Sequence, residues 1–385
     1  MRKFFLIFLS VFCLMIAPFR QRSVHADEVE LDLCATSAVL MEPISKKVIY
    51  SKNPDQKLYP ASMTKMMGLY LILEAIENKV ISWEDTVTVS SYAASMGGTQ
   101  IFLEVNEQMP LEDLFKAVAI NSANDAIVAL GEHLCSSNSN FVARMNQKAQ
   151  EFGMKNTHFN NATGFDDEDH YTTAYDMALL GCHLVSFGQK ILRFTSMEEG
   201  YVRENTDQPF WLVNTNKLLK YYDGLDGLKT GFTTKAGYNL TATAERNGVR
   251  LVSTVMHLDT IAHRSQDTTR LLDYGFSKLK AICVFDKEEV ISTFEIDGSL
   301  GKYLNVISDR EIKIITDKST DEGDLKIEAT LEKTEAPYEK GEKVGFVAVT
   351  TPDGTCFRFD LFAANQVTKS TFFHYLANII AQLFV

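Results

Sequence analysis

The sequence predicts an α+β domain, then a small all-β domain, then a short amphipathic C-terminal helix. Three observations carry that order. Apolar residues recur at helical spacing after Pro60 and after Pro110. Two strand-like runs flank Asn247-Gly248, a pair that favours the tight turn of a β-hairpin. From about Val284 the helical texture gives way to short strand-like runs between polar or glycine-containing turns.

The elements follow in chain order. Ala38–Met41 and Val48–Tyr50 flank the polar Ser45-Lys46-Lys47 and read as a hairpin. Pro60 opens a helix with Met66, Leu69, Leu73 and Ile76 on one face. Proline suits that position, because the amide it lacks has no helical partner there. Pro110 opens a second helix with Glu112 and Asp113 in its first turn and Ala117, Val118 and Ile120 inward. Ser122-Ala123-Asn124 interrupts the pattern, and Ile127, Val128 and Leu130 resume it. Asn239–Glu245 and Arg250–His257 alternate as strands, and Thr268–Phe276 returns to helix. Val290–Ile296, Glu311–Ile315, Lys326–Leu331, Val344–Thr350 and Cys356–Leu361 read as the strands of the second domain.

The two ends differ from the rest. Arg2 and Lys3 precede an apolar run from Phe4 to Pro18, and Val24-His25-Ala26 offers a cleavage site, so residues 1–26 read as a secretory signal. The domains are then expected at 27–282 and 283–367, with a membrane-associating tail at 368–385. From Phe372 to Val385 only His374, Asn378 and Gln382 are polar. Their spacing of four gives a helix one narrow polar stripe. Fourteen residues rise about 21 Å, short of a hydrocarbon core of about 30 Å. The tail is therefore expected to lie on a membrane surface; docking on the β-rich domain is the alternative.

Charge excludes one class of partner. The chain has 38 Lys and Arg against 50 Asp and Glu, and four of the basic residues fall in 1–26. What remains carries 34 against 50, a formal charge of −16. Phosphate backbones would be repelled, so nucleic acid is not an expected partner. Beyond Cys13, the five cysteines Cys34, Cys135, Cys182, Cys283 and Cys356 are odd in number and widely spaced. Neither a disulfide framework nor a zinc site follows from them. The eight histidines show no paired ligand spacing, so no metal or other cofactor is expected.

Three strings remain, in fixed order: Ser62-Met63-Thr64-Lys65, Ser122-Ala123-Asn124 and Lys229-Thr230-Gly231. Each type is weak alone. Ser277-Lys278-Leu279-Lys280 and Ser299-Leu300-Gly301-Lys302 repeat the first pattern; Ser51-Lys52-Asn53 and Ser136-Ser137-Asn138 repeat the second. Context separates them, because only Ser62 stands at a proline-led apolar helix start. Residues three apart share a helix face, so Lys65 is expected to reach the Ser62 hydroxyl. A serine needs a base to become a nucleophile, and a lysine serves as one when burial or a nearby cation lowers its pKa. Lys229 is expected to be that cation. Ser122 reads as a proton relay, and Asn124 as an amide orienting Lys65 and a substrate backbone. Lys229 and Thr230 suit a terminal carboxylate. Gly231 is expected to leave room for an extended peptide at the strand edge. The backbone N–H groups of Ser62 and Phe232 are the expected oxyanion hole.

The longer run Asp223-Gly224-Leu225-Asp226-Gly227-Leu228-Lys229-Thr230-Gly231, with Ala236-Gly237-Tyr238-Asn239-Leu240, resembles the low-molecular-mass penicillin-binding proteins of peptidase family S11. Gly98-Thr99-Gln100-Ile101-Phe102, Asn161-Ala162-Thr163-Gly164 and Asn214-Thr215-Asn216-Lys217 are similar to other stretches of that family. The resemblance implies a β-lactamase-like transpeptidase domain, an antiparallel sheet flanked by helices with a helical subdomain. It implies a serine D-alanyl-D-alanine carboxypeptidase at the outer face of a bacterial cytoplasmic membrane. Its substrate would be peptidoglycan pentapeptide ending in D-Ala-D-Ala, and β-lactam antibiotics would acylate the same serine. Two departures stand out. The second motif is Ser-Ala-Asn, which fits carboxypeptidases better than class A β-lactamases, and Phe232 stands where a histidine is common. A β-lactamase, or a β-lactam-sensing domain without turnover, is the alternative.

Overall fold

The computed structural model describes residues 31–300 and 303–370. The expected signal segment and the tail beyond Ser370 lie outside them.

Strands β1 (Ser37–Met41) and β2 (Val48–Lys52) form the first hairpin. A 3-10 turn, Ala61–Thr64, leads into α1 (Lys65–Glu77). A helical region follows. It holds β3 (Thr86–Thr88), α2 (Ser91–Ala94), β4 (Gln108–Pro110), α3 (Leu111–Asn121), α4 (Asn124–Cys135) and α5 (Asn138–Glu151). The chain continues through α6 (Ala174–Val185), α7 (Gln189–Thr195) and the hairpin β5 (Glu199–Val202) with β6 (Phe210–Val213). It returns as β7 (Leu225–Thr233), β8 (Gly237–Arg246), β9 (Val249–Leu258) and α8 (Ile261–Lys278).

The main sheet is antiparallel, in the order β2-β1-β9-β8-β7. Strand β7 is therefore an edge strand, and it carries Lys229-Thr230-Gly231. Helices cover both faces of the sheet. A Cβ on Gly181 of α6 would come within 2.8 Å of Val252, and one on Gly275 of α8 within 2.5 Å of Leu251. Val252 and Leu251 are neighbours on β9, so they point to opposite faces. This covering corrects one expectation. The runs around Asn247-Gly248 read as alternating, yet β8 and β9 are buried on both faces along most of their length.

Helix α1 departs from expectation in the same way. Met66, Met67, Leu69, Leu71, Ile72 and Leu73 are all buried, so it is a core helix and not a one-faced one. Helix α8 begins well before Thr268. Thr260 caps it by accepting from the His263 N–H, and the polar run from His263 to Asp267 hides its start from periodicity.

The C-terminal part is all β, as expected. Strand β10 (Leu279–Phe285) runs through the expected boundary at 282/283 and pairs with β14 (Ile312–Asp317). Between them lie β11 (Val290–Glu295), β12 (Ser299–Leu300) and β13 (Tyr303–Ile307). Beyond come β15 (Lys326–Leu331), β16 (Lys343–Thr350), β17 (Cys356–Ala363) and β18 (Thr368–Lys369). The larger sheet runs β11-β13-β17-β16-β15. Leu304, Val306, Tyr338, Val347, Val349, Phe357 and Leu361 fill its own core.

Candidate active site

Ser62 sits in the 3-10 turn, and Lys65 opens α1 directly after it. Lys65 Nζ lies 2.9 Å from Ser62 Oγ and donates to the Thr163 carbonyl at 2.6 Å. The Lys65 side chain is fully buried. Burial holds its pKa well below the ordinary lysine value, the nearby charge of Lys229 adds to that, and Asp125 opposes it. The lowered pKa favours the neutral amine over the ammonium ion.

The turn is held from several sides. Its Ala61 adopts φ +48, a left-handed conformation that costs energy for any residue with a Cβ. A Cβ at Gly231 would lie 2.6 Å from the Pro60 carbonyl oxygen and 3.2 Å from Ala61 Cβ. This corrects the reading of Gly231: its missing side chain lets β7 lie flush on the serine turn, and the space goes to that turn. A Cβ at Gly164, whose φ is +90, would lie 1.9 Å from the Ala61 carbonyl oxygen. Only glycine fits there, so the Asn161–Gly164 loop presses on the same turn. The Asn161 side-chain oxygen accepts from the N–H groups of Thr163, Gly164 and Phe165 and from the Thr163 hydroxyl. That oxygen fixes the loop whose Thr163 carbonyl holds Lys65. Asn239, opposite Gly231 on β8, donates to the Tyr59 carbonyl at 3.0 Å.

Ser122 ends α3 and Asn124 begins α4. Ser122 has φ +67, a strained choice for a serine. Its hydroxyl is buried and has no hydrogen-bond partner among the described residues. A buried hydroxyl left without a partner costs stability, which marks the position as serving something other than folding. Asn124 departs from expectation: its amide donates to the Gly97 carbonyl at 2.7 Å, and Lys65 is held by Thr163 instead. Its backbone N–H donates to the Thr99 carbonyl. Asp125 accepts from the N–H groups of Ile101 and Leu103. The second motif therefore anchors the Gly97–Leu103 segment.

Lys229 and Thr230 lie buried on β7. The Thr230 hydroxyl donates to the Thr215 hydroxyl at 2.7 Å. Lys229 Nζ donates to the Thr230 carbonyl at 3.1 Å. Burial lowers the Lys229 pKa to about 7, helped by the charge of Arg264. Arg264 is itself buried, and its Nε has no hydrogen-bond partner among the described residues. Sequence reasoning missed Arg264, which sits in the polar run from His263 to Asp267, unlike a core segment. Phe232 is exposed and stacks on Tyr238, with ring centroids 4.3 Å apart. At the end of β7, Thr233 donates to Asp166 at 2.7 Å, tying the strand to the loop after Gly164.

The model of peptidase family S11, D-alanyl-D-alanine carboxypeptidase, matches residues 21–260. The chain belongs to the S11 D-alanyl-D-alanine carboxypeptidases. The model of the penicillin-binding protein 5 C-terminal domain matches residues 280–369. The D-alanyl-D-alanine carboxypeptidase DacF of Bacillus subtilis is 41% identical over 340 residues, covering 88% of this chain and 87% of its own length. Penicillin-binding protein 5 of Haemophilus influenzae superposes with a TM-score of 0.69 at 31% identity, covering 88% of this chain and 99% of that one. Penicillin-binding protein D2 of Listeria monocytogenes in its ampicillin-bound form has a TM-score of 0.57 at 34% identity, covering 64% of this chain and 99% of that one. This S11 peptidase is a serine-type D-alanyl-D-alanine carboxypeptidase acting on peptidoglycan.

Proposed function

We propose that this carboxypeptidase works through an acyl-enzyme on Ser62, with Lys65 as base and Ser122 as relay. The observation that carries the reading is the fully buried Lys65 amine 2.9 Å from the Ser62 hydroxyl. Neutral Lys65 takes the hydroxyl proton as Ser62 Oγ bonds to the carbonyl carbon of the penultimate D-alanine. The carbonyl oxygen becomes an oxyanion facing the N–H groups of Ser62 and Phe232. The C–N bond breaks, and the proton passes by way of Ser122 to the leaving amine, which departs as D-alanine. Water then attacks the ester, freeing Ser62 and a peptide shorter by one residue. A β-lactam follows the same first step, but its opened ring stays attached, so no amine departs and the ester persists.

Substrate placement follows from β7. An extended peptide adds to this edge strand, with Asn124 beside its backbone, and its terminal carboxylate meets Lys229, Thr230 and the neighbouring Arg264. A charge-assisted contact is worth about 1.5–3 kcal/mol, roughly tenfold to a hundredfold in rate. Lys229→Ala should therefore narrow the preference for a free-acid peptide over its C-terminal amide by that factor, read as D-alanine or D-alaninamide released. An unchanged preference excludes the role. The pH dependence has a definite sign. Lys229 is charged below about 7 and neutral above it, so kcat/KM for the free acid should fall as pH rises through that value. The amide should lack this fall.

The same reading places the protein outside the cytoplasmic membrane. Residues 1–26 direct export, the peptidase runs from 27 to the end of α8, the β-rich domain runs from β10 to β18 at 279–369, and the apolar run from Phe372 binds the membrane surface. Among the described residues no helix is long and apolar enough to cross a membrane. The support for the tail is its apolar run with one polar stripe. A form ending at Lys369 should leave the membrane fraction for the soluble one. If it stays as membrane-bound as the full chain, the tail is not the anchor.

A further inference from the structure

We propose that His170 is a positioning residue for acylation, a neutral imidazole that locks the Ser62–Lys65 turn to the loop whose carbonyl holds Lys65. The inference rests on Ser62 and Lys65 being the reacting pair.

The hydrogen bonds define its state. His170 Nδ1 accepts from the backbone N–H of Asn160 at 3.0 Å and faces that of Asn161 at 3.4 Å. An atom receiving those N–H groups carries a lone pair, so the ring proton sits on Nε2. Nε2 lies 2.8 Å from Thr64 Oγ1 and donates to it. Thr64 stands between the serine and the lysine of the first motif. Asn160 and Asn161 open the loop that delivers the Thr163 carbonyl to Lys65 Nζ at 2.6 Å. One ring therefore spans the two segments that set the Ser62–Lys65 geometry. His170 is only 1% exposed, and Phe159 packs at its edge with centroids 5.9 Å apart.

Protonation would break this link, because an N–H on Nδ1 would confront the backbone N–H groups it now accepts from. The surroundings keep the ring neutral. Burial lowers its pKa to about 4, with His158 and Lys65 also lowering it and Asp167 opposing them. Nothing in the proposed proton path passes through this ring. It acts through Thr64 and the loop.

The experiment is acylation by a chromogenic β-lactam at pH 7.5. It separates the acylation constant k2, the dissociation constant of the non-covalent complex and the titre of reactive sites. The variants are Thr64→Val, Thr64→Ser, His170→Asn and Thr64→Val with His170→Asn. Small misplacement of reacting groups costs up to about a hundredfold in rate. Thr64→Val and His170→Asn should each lower k2 by about tenfold or more at full titre, with the dissociation constant changed less than about twofold. Thr64→Ser keeps the hydroxyl and should restore k2. The double variant should be no slower than the slower single one, because both remove the same link. A k2 within about twofold of wild type in both single variants overturns the proposal, as does a loss seen only in titre. If His170→Asn does not fold, the Thr64 pair decides alone. Peptide mapping of the wild-type adduct separates the two readings. An adduct away from Ser62 removes the reacting pair and this inference with it; an adduct on Ser62 with unchanged k2 removes this inference only.

Discussion

Ser62→Ala should release no D-alanine above background from a D-alanyl-D-alanine peptide. The expected fall in kcat is on the order of 10⁶, the scale on which loss of a serine nucleophile acts in serine peptidases. The fold should hold. The Ser62 hydroxyl contacts Lys65 Nζ, and removing it leaves Lys65 its hydrogen bond to the Thr163 carbonyl. The turn itself is held by packing that alanine does not disturb, at Gly231 and Gly164. Thermal melting should therefore move little while turnover disappears. Ser122 is the informative control, a buried serine of the site whose hydroxyl has no hydrogen-bond partner among the described residues. A relay contributes about 10²–10⁴ in rate, so Ser122→Ala should keep measurable turnover where Ser62→Ala keeps none. Residual turnover of the same size in both variants would contradict the assignment of the nucleophile.

Lys65→Met should lower the acylation rate by about 10²–10⁴, as for loss of a positioned general base. Its effect on stability should be modest, because two changes oppose each other. The cost of desolvating a buried amine disappears, while the Thr163 carbonyl loses its donor. The pH profile carries the sign. The Lys65 pKa is depressed, so in the wild type the neutral base appears as pH rises through a value well below the ordinary lysine range. Acylation should rise with it. Lys65→Met should lose that rise and stay slow throughout. If Lys65 were only a structural tether to Thr163, Lys65→Met would acylate at the wild-type rate with an unchanged pH profile.

Much of this site is legible in the amino-acid sequence, for local reasons. The spacing of Ser62 and Lys65 reads as a helix face, and the 2.9 Å contact forms across the 3-10 turn before α1, where residues three apart are also aligned. The Asn247-Gly248 turn marks the β8–β9 hairpin and so places Lys229-Thr230-Gly231 at the start of a meander. The rest depends on contacts distant in sequence. Gly231 reads as space for substrate, but Pro60 and Ala61, far earlier in the chain, occupy it. Asn124 reads as a partner for Lys65, but the Gly97 and Thr99 carbonyls claim its amides. Arg264 sits in the polar run from His263 to Asp267, which periodicity does not recognise, and only the packing of α8 on the sheet brings its charge to Lys229. Thr163 acts through its carbonyl, which every residue has, so side-chain identity carries no signal. The double burial of β8 and β9 is hidden because the helices on both faces come from segments on either side of them in the chain.

The most direct test of the acyl-enzyme is to locate it. The protein is mixed with excess benzylpenicillin, quenched in acid, weighed intact and mapped by protease digestion and mass spectrometry. One opened-ring adduct per chain is expected, on the peptide containing Ser62 and absent from Ser62→Ala. An adduct on Ser122 or another residue, or undiminished labelling of Ser62→Ala, would contradict an acyl-enzyme on Ser62.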